Sequence, residues 1–288
     1  MLFCLPGEGV VQTMAIDVRN GLTYATHEGV ALQGDLYLPA GNRPCAALVA
    51  VHGGGWQLGA RSQFQYWGPY LAERGIALFA ISYRLARKGV KTFPHAVHDV
   101  LAAVRFVRSG AAEFGVDPER IGLFGASAGA HLSSLAALGG AQAFGGGAAT
   151  DVSAKVKVLV GVYGVYDLKQ MWDYYRLASP FENNIENFLG ASPIEDRRLY
   201  FDASPISYAT VANNQVAVLL SVGTEDDLVD RTTQTDAYLL ALKQAGFFVR
   251  PCVVPGAAHY WLSDPIDEPG SFSGFFAPRL LRFLAERL

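Results

Sequence analysis

The chain is poor in cysteine, poor in charge and free of long apolar runs. Three cysteines in 288 residues, Cys4, Cys45 and Cys252, are too few and too scattered for a disulfide framework or a zinc site. They read as reduced thiols of a cytoplasmic protein. Lys and Arg number 23 against 26 Asp and Glu, so there is no basic field to hold nucleic acid and no cationic cluster for an anionic membrane surface. No apolar run reaches the ~18 residues of a membrane span. The N-terminus lacks a basic region ahead of its broken apolar stretch, so a signal peptide is not expected. Met14 is an alternative start, and residues 1–20 are expected to form a poorly ordered extension.

What the chain has is apolar residues, at 51%, which excludes a disordered protein. Short apolar runs bounded by Gly or Pro alternate with helical periods. That pattern predicts one α/β domain over 1–288, with a mostly parallel central sheet and helices on both faces. Residues 23–38 read as two strands around Glu28-Gly29. Further strands are expected over 46–51, 76–83, 121–124, 156–163, 216–222 and 247–254. Val97, Val100, Leu101, Val104 and Val107 recur at helical spacing. Other helices are expected after Ser127, over 232–245 and over 278–288. Residues 139–150 are Gly/Ala-rich and read as a loop. Residues 166–214 break the alternation and are too long for a simple connection, so they are expected to form a small inserted cap.

Gly125-Ala126-Ser127-Ala128-Gly129 follows a strand and precedes a helix. In isolation such a pentapeptide could be a glycine-rich turn whose serine caps the helix. In this setting it has the form of a strained strand-to-helix turn that pushes a serine hydroxyl out at the sheet end as a nucleophile. His52-Gly53-Gly54-Gly55-Trp56 follows another strand. Glycines there let backbone N–H groups approach a bound carbonyl. No phosphate-binding or dinucleotide-binding glycine pattern is present.

Together with Ser82-Tyr83-Arg84-Leu85, Phe93-Pro94 and the run from Asp117 to Gly122, these motifs resemble the α/β-hydrolase carboxylesterases of the hormone-sensitive-lipase-like and feruloyl-esterase-like group. The resemblance covers roughly residues 25–288. It implies the α/β-hydrolase fold and hydrolysis of carboxylic esters. Nucleophile, acid and histidine follow in that chain order. Glu225, Asp226 and Asp227 stand after the 216–222 strand. The family pattern selects Asp226 as the acid, with Asp227 as runner-up, while one of these acids could cap a helix near Asp230. His259 follows the 247–254 strand and is the expected base. By resemblance the oxyanion hole belongs to the N–H groups of Gly54, Gly55 and Ala128, with Gly53 a lesser contributor, and His52 braces that loop.

Two departures stand out. The elbow has Ala126 where many relatives carry Asp, and Ala130 where they carry Gly. The N-terminal region is short for a large helical cap, which favours a small esterase with an open pocket. Trp56, Tyr66, Trp172 and Trp261 are the expected substrate-binding residues; Trp67, Tyr174, Tyr175, Phe181, Phe188 and Tyr200 are further aromatics near the site or in the cap. His95 and His98 with Asp99 share a helix but show no third metal partner, and His27 and His131 read as structural or exposed. No metal or cofactor is expected. The expected partner is a small ester of short acyl chain or aromatic character, with neither nucleic acid nor membrane, and a homodimer is left open. Alternative readings are an arylformamidase or amidase on the same residues, and a receptor like those for gibberellin, which lack the histidine that His259 supplies here.

Overall fold

The computed structural model describes residues 16–41, 44–145, 152–178 and 183–288. Eight strands form one sheet: β1 (Asp17–His27), β2 (Val30–Leu38), β3 (Cys45–Val51), β4 (Ile76–Ile81), β5 (Val116–Ala126), β6 (Val158–Val162), β7 (Ala217–Gly223) and β8 (Val249–Val254). Their spatial order is β1-β2-β4-β3-β5-β6-β7-β8. The β1–β2 and β2–β4 pairs are antiparallel, and every other pair is parallel. The helices are α1 (Trp67–Ala72), α2 (His95–Ser109), α3 (Ala111–Phe114), α4 (Ala128–Leu138), α5 (Gly140–Phe144), α6 (Leu168–Ala178), α7 (Asn184–Leu189), α8 (Arg197–Asp202), α9 (Ala237–Gln244) and α10 (Phe272–Arg287). This is the α/β-hydrolase architecture.

Residue chemistry explains the layers. Glu28 and Gly29 take φ of 51° and 80°, the two positive values a tight β1–β2 hairpin needs. In β3 successive side chains face opposite sides. Ala47, Val49 and Val51 join the core beneath α2 and α4, which supply Val97, Leu101, Leu132 and Leu135. Leu48 and Ala50 join the other core, against Trp67 and Leu71 of α1 and Phe276 and Leu280 of α10. Continuous apolar strands are what a sheet covered on both faces requires.

Several expectations change. Residues 17–20 are not an unordered extension: they open β1, where Asp17 faces Leu38 and the Gly21 N–H bonds the Asp35 carboxylate at 2.8 Å. Residues 1–15, with Cys4 and Met14, lie outside the described residues. The last helix starts at Phe272 instead of Pro278, because Ser271 Oγ accepts the Gly274 N–H and caps it there. Pro278 then lies inside the helix. Helix α1 was not among the expected elements; its Pro69 falls in the first turn, where a missing N–H is tolerated. Part of the expected 139–150 loop is α5, and 146–150 lie outside the described residues. Residues 166–214 carry α6, α7 and α8 between β6 and β7, with Phe181 outside the described residues. Among the described residues no helix is long and apolar enough to cross a membrane.

One ion pair with a buried carboxylate anchors the segment behind the glycine loop. Asp99 on α2 has no exposed side-chain surface and accepts from the Arg84 backbone N–H at 2.9 Å and from its guanidinium at 2.6 Å. Two residues on, the Ala86 N–H bonds the Trp56 C=O at 2.8 Å. Replacing Asp99 by Ala removes the acceptors of the Arg84 bonds and leaves its partly buried N–H without a partner. The loss expected in urea denaturation is about 2–3 kcal/mol. Asp99→Asn keeps one acceptor oxygen and is expected to cost less.

Candidate active site

Strand β5 ends in a turn that only small neighbours permit. Ser127 sits at φ 52° and ψ −121°, and its N–H bonds the Val162 C=O on β6 at 2.9 Å. A Cβ on Gly129 would lie 2.0 Å from the Val51 carbonyl oxygen, and one on Gly125 would lie 2.4 Å from the Gly129 oxygen. The absence of those atoms lets α4 press against the end of β3. The Ala128 N–H is the first of α4, one of the donors a helix leaves without an intrahelical partner.

The loop after β3 lies alongside. The Gly53 N–H is occupied by Gln63 Oε1 at 2.7 Å, which takes it out of any oxyanion role. Gly54 has φ 117°, and a Cβ there would meet the Leu58 carbonyl oxygen at 2.2 Å. A Cβ on Gly55 would lie 2.8 Å from the Asn184 side-chain nitrogen on α7. Asn184 Oδ1 in turn accepts from Gln57, and Gln57 Oε1 accepts from Asn187 at 3.1 Å. His52 donates from Nδ1 to the Gly53 C=O at 2.7 Å and stacks on Tyr83 at 4.4 Å. The Tyr83 hydroxyl donates to the His52 C=O at 3.0 Å.

Three sequence-separated side chains meet at the sheet end. His259 Nε2 lies 3.0 Å from Ser127 Oγ, and its Nδ1 lies 2.8 Å from Asp226 Oδ2. The other Asp226 oxygen accepts the Leu228 and Val229 N–H groups at 3.1 and 3.0 Å. The imidazole and the Asp226 carboxylate are buried, with 3% and 0% of side-chain surface exposed. Asp227 turns outward and uses its C=O to accept the Tyr174 hydroxyl at 2.8 Å. Asp230 caps the following segment through the Thr233 N–H at 2.8 Å. A hydroxyl, an imidazole and a carboxylate in this order are an arrangement in which the imidazole can take the hydroxyl proton while the carboxylate orients it.

The aromatic residues fare unevenly. Trp56 and Trp261 are 1% and 3% exposed, so they are core residues with little surface to offer a ligand. Trp56 stacks on Phe188 at 5.0 Å, and Trp261 packs edge-on against Phe276 at 5.4 Å. Their place beside site loops reflects support from beneath. Tyr66 is 40% exposed, and Trp172 is partly buried with its Nε1 on Glu186 at 2.7 Å. Trp67, Phe188 and Tyr200 are buried.

Sequence reading missed the residues that flank the imidazole. Tyr163, at φ 38° just after β6, lies 4.4 Å from it ring to ring, and Tyr260, at φ 69° and 55% exposed, lies 4.6 Å from it. Only adjacency to His259 marks Tyr260 in the sequence, and nothing marks Tyr163. Burial pushes the Tyr175 phenol up to about 12, reinforced by Tyr260 and Asp226. Elsewhere, His98 Nε2 bonds the Phe144 C=O at 2.9 Å, and the Asp99 carboxylate faces Arg84 and, at 3.3 Å, His27 Nε2. Among the described residues no group of three His, Cys, Asp or Glu side chains could hold a metal.

His52 and His131 are both buried, and burial lowers each from 6.5 to about 4. The unfolded chain therefore binds these protons first as the pH falls. Stability from both neutral rings is complete above pH 6.5 and is lost progressively as the pH drops toward 4. The expected loss across that window is about 3 kcal/mol for each ring. Urea midpoints measured at intervals between pH 7 and 4 check it.

Comparison with known proteins places this geometry in a family. The BD-FAE family model matches residues 34–240. The ethyl acetate hydrolase of Pseudomonas putida is 30% identical over 252 residues, spanning 84% of this chain and 75% of that protein. A probable isoprenylcysteine alpha-carbonyl methylesterase of Oryza sativa subsp. japonica, ICMEL1, is 30% identical over 81% of this chain and 55% of its own length. Esterase LipQ of Mycobacterium tuberculosis is 32% identical over 72% and 48%. The chain thus spans about half the length of the rice and mycobacterial relatives. Propionate-bound esterase 2 of Thermogutta terrifontis superposes with a TM-score of 0.73 at 25% identity, covering 96% of this chain and 94% of that one. The tabun-phosphoramylated form of that esterase gives 0.76 at 24% identity, covering 97% of each chain. From the family match across most of the sheet, and from the Pseudomonas relative, the chain belongs to the BD-FAE family of α/β-hydrolases, within the hormone-sensitive-lipase-like carboxylesterase group.

Proposed function

We propose that the protein is a serine carboxylesterase that hydrolyses small carboxylic esters through Ser127, His259 and Asp226. The observation that carries this reading is the unbroken hydrogen-bonded chain from Ser127 Oγ through His259 to Asp226, at 3.0 and 2.8 Å. As Oγ attacks the ester carbonyl, His259 Nε2 takes its proton, and Asp226 holds the imidazole by Nδ1–H and stabilises its cation. The oxyanion forms against the N–H groups of Gly54, Gly55 and Ala128. His259 then returns the proton to the departing alcohol oxygen, leaving an acyl group on Ser127. Water, deprotonated by the same nitrogen, attacks that acyl group and releases the acid.

A short acyl chain is supported by the kinship. A relative hydrolyses ethyl acetate, and the similar Thermogutta esterase has been solved with propionate and with butyrate bound. Tyr260 and Tyr66 are the exposed aromatic side chains available to an acyl or alcohol group beside these loops.

Hydrolysis of p-nitrophenyl esters from acetate to decanoate is the direct test. Turnover is expected to be highest for the short chains, and Ser127→Ala should lower kcat by at least about 10⁴. Asp226→Asn is the sharper probe. It keeps an oxygen for the Leu228 and Val229 N–H groups yet disturbs the tautomer of His259, so the fold should persist while kcat falls by about 10⁴. Ester turnover that survives Ser127→Ala rejects the reading. Formyl-arylamine turnover without ester turnover replaces it with an amidase.

A further inference from the structure

His131 makes a hydrogen bond from each end of a ring that is sealed from solvent. Its Nδ1 lies 3.1 Å from the indole Nε1 of Trp56, and its Nε2 lies 2.8 Å from the C=O of Ala203. An indole nitrogen only donates and a carbonyl oxygen only accepts. The ring is therefore neutral, protonated on Nε2, and held in one orientation. Its backbone N–H bonds the Ser127 C=O at 3.1 Å, in the first turn of α4. Trp56, on the other side, directly follows Gly55 and has φ 63°, a region a tryptophan does not enter unaided. The Ala86 bond to its C=O, the Phe188 stack and the bond to His131 hold it there.

We infer that His131 is a positioning residue that sets the spacing between the two halves of the oxyanion hole, Gly54 and Gly55 on the loop after β3 and Ala128 at the head of α4. The inference rests on the esterase reading above. Donors from separate loops stabilise a developing oxyanion only if their geometry is fixed before the reaction. His131 is tied to the elbow by its backbone and to the glycine loop by its ring. Through Ala203, just beyond α8, the same ring also fastens the segment between β6 and β7.

The two ring bonds can be removed separately. In His131→Asn the amide oxygen falls near the Nδ1 position and still accepts from Trp56, with nothing left to reach Ala203. In His131→Gln the amide nitrogen reaches the Nε2 position and still donates to Ala203, while the Trp56 N–H loses its acceptor. With a short p-nitrophenyl ester, His131→Gln is expected to lower kcat about tenfold more than His131→Asn, whose effect falls mainly on KM. Trp56→Phe removes the donor itself and is expected to lower kcat about tenfold. Combined with His131→Gln it should cost little more, since both remove one interaction. The backbone amide resonances of Gly54 and Gly55 give a readout without turnover: they should move in Trp56→Phe and His131→Gln and stay in place in His131→Asn. Equal kcat losses in Asn and Gln variants, multiplicative losses in the double variant, or unmoved glycine resonances would overturn the inference. If the wild-type protein has no ester turnover, the esterase reading fails and the glycine resonances alone decide whether His131 sets the loop.

Discussion

The structure turns on one close approach, that of Gly129 to the carbonyl end of β3. Parallel pairing of β3 with β5 sets Val51 beside Gly125, so the loops leaving both strands emerge at the same sheet edge. A Cβ on Gly129 would stand 2.0 Å from the Val51 oxygen, far inside contact distance. Without it, α4 can enter the sheet immediately after Ser127 and direct its N-terminus toward the glycine loop. Helix dipole and free N–H groups then point where an anion would form. The positive φ of Ser127 is compatible with this packing because its N–H is held by Val162 on the next strand.

Key polar groups beneath that edge are buried and hydrogen-bonded. Asp226 spends three acceptor positions on His259, Leu228 and Val229, which leaves its carboxylate little freedom to rotate. His52 and His131 stay neutral because burial penalises their cations. Such groups add rigidity at the expense of stability in acid.

The fold was legible because its signals are local. The turn at Glu28-Gly29, the apolar strands and the heptad-like valines of α2 each show in a few consecutive residues. The motifs around Ser127 and Gly54 were legible for the same reason, since their chemistry depends on small residues at fixed offsets. Direction was not legible. Sequence places Trp56 and Trp261 next to site loops but does not say that both side chains turn into the core. It ranks Asp226 over Asp227 only through a family pattern, whereas the structure separates them by a turn that sends one carboxylate inward and the other out. Tyr163 and His131 act on residues far away in the chain, through ring contacts and side-chain bonds that no local window contains.

The contact between Ser127 and His259 spans 132 positions of the chain. Ser127 follows β5, while His259 follows β8 at the far side of the sheet order. A ribosome-bound chain that has released β1 to β6 can already shape the elbow, since its strand, turn and helix are contiguous and Val162 on β6 is there to hold the Ser127 N–H. It holds a strained serine with no imidazole beside it. The contact between Ser127 and His259 forms only once β7 and β8 have added, both through non-local parallel pairing of the slow kind. A partly synthesised or partly unfolded molecule therefore lacks the Ser127–His259–Asp226 arrangement, which exists only in the complete sheet.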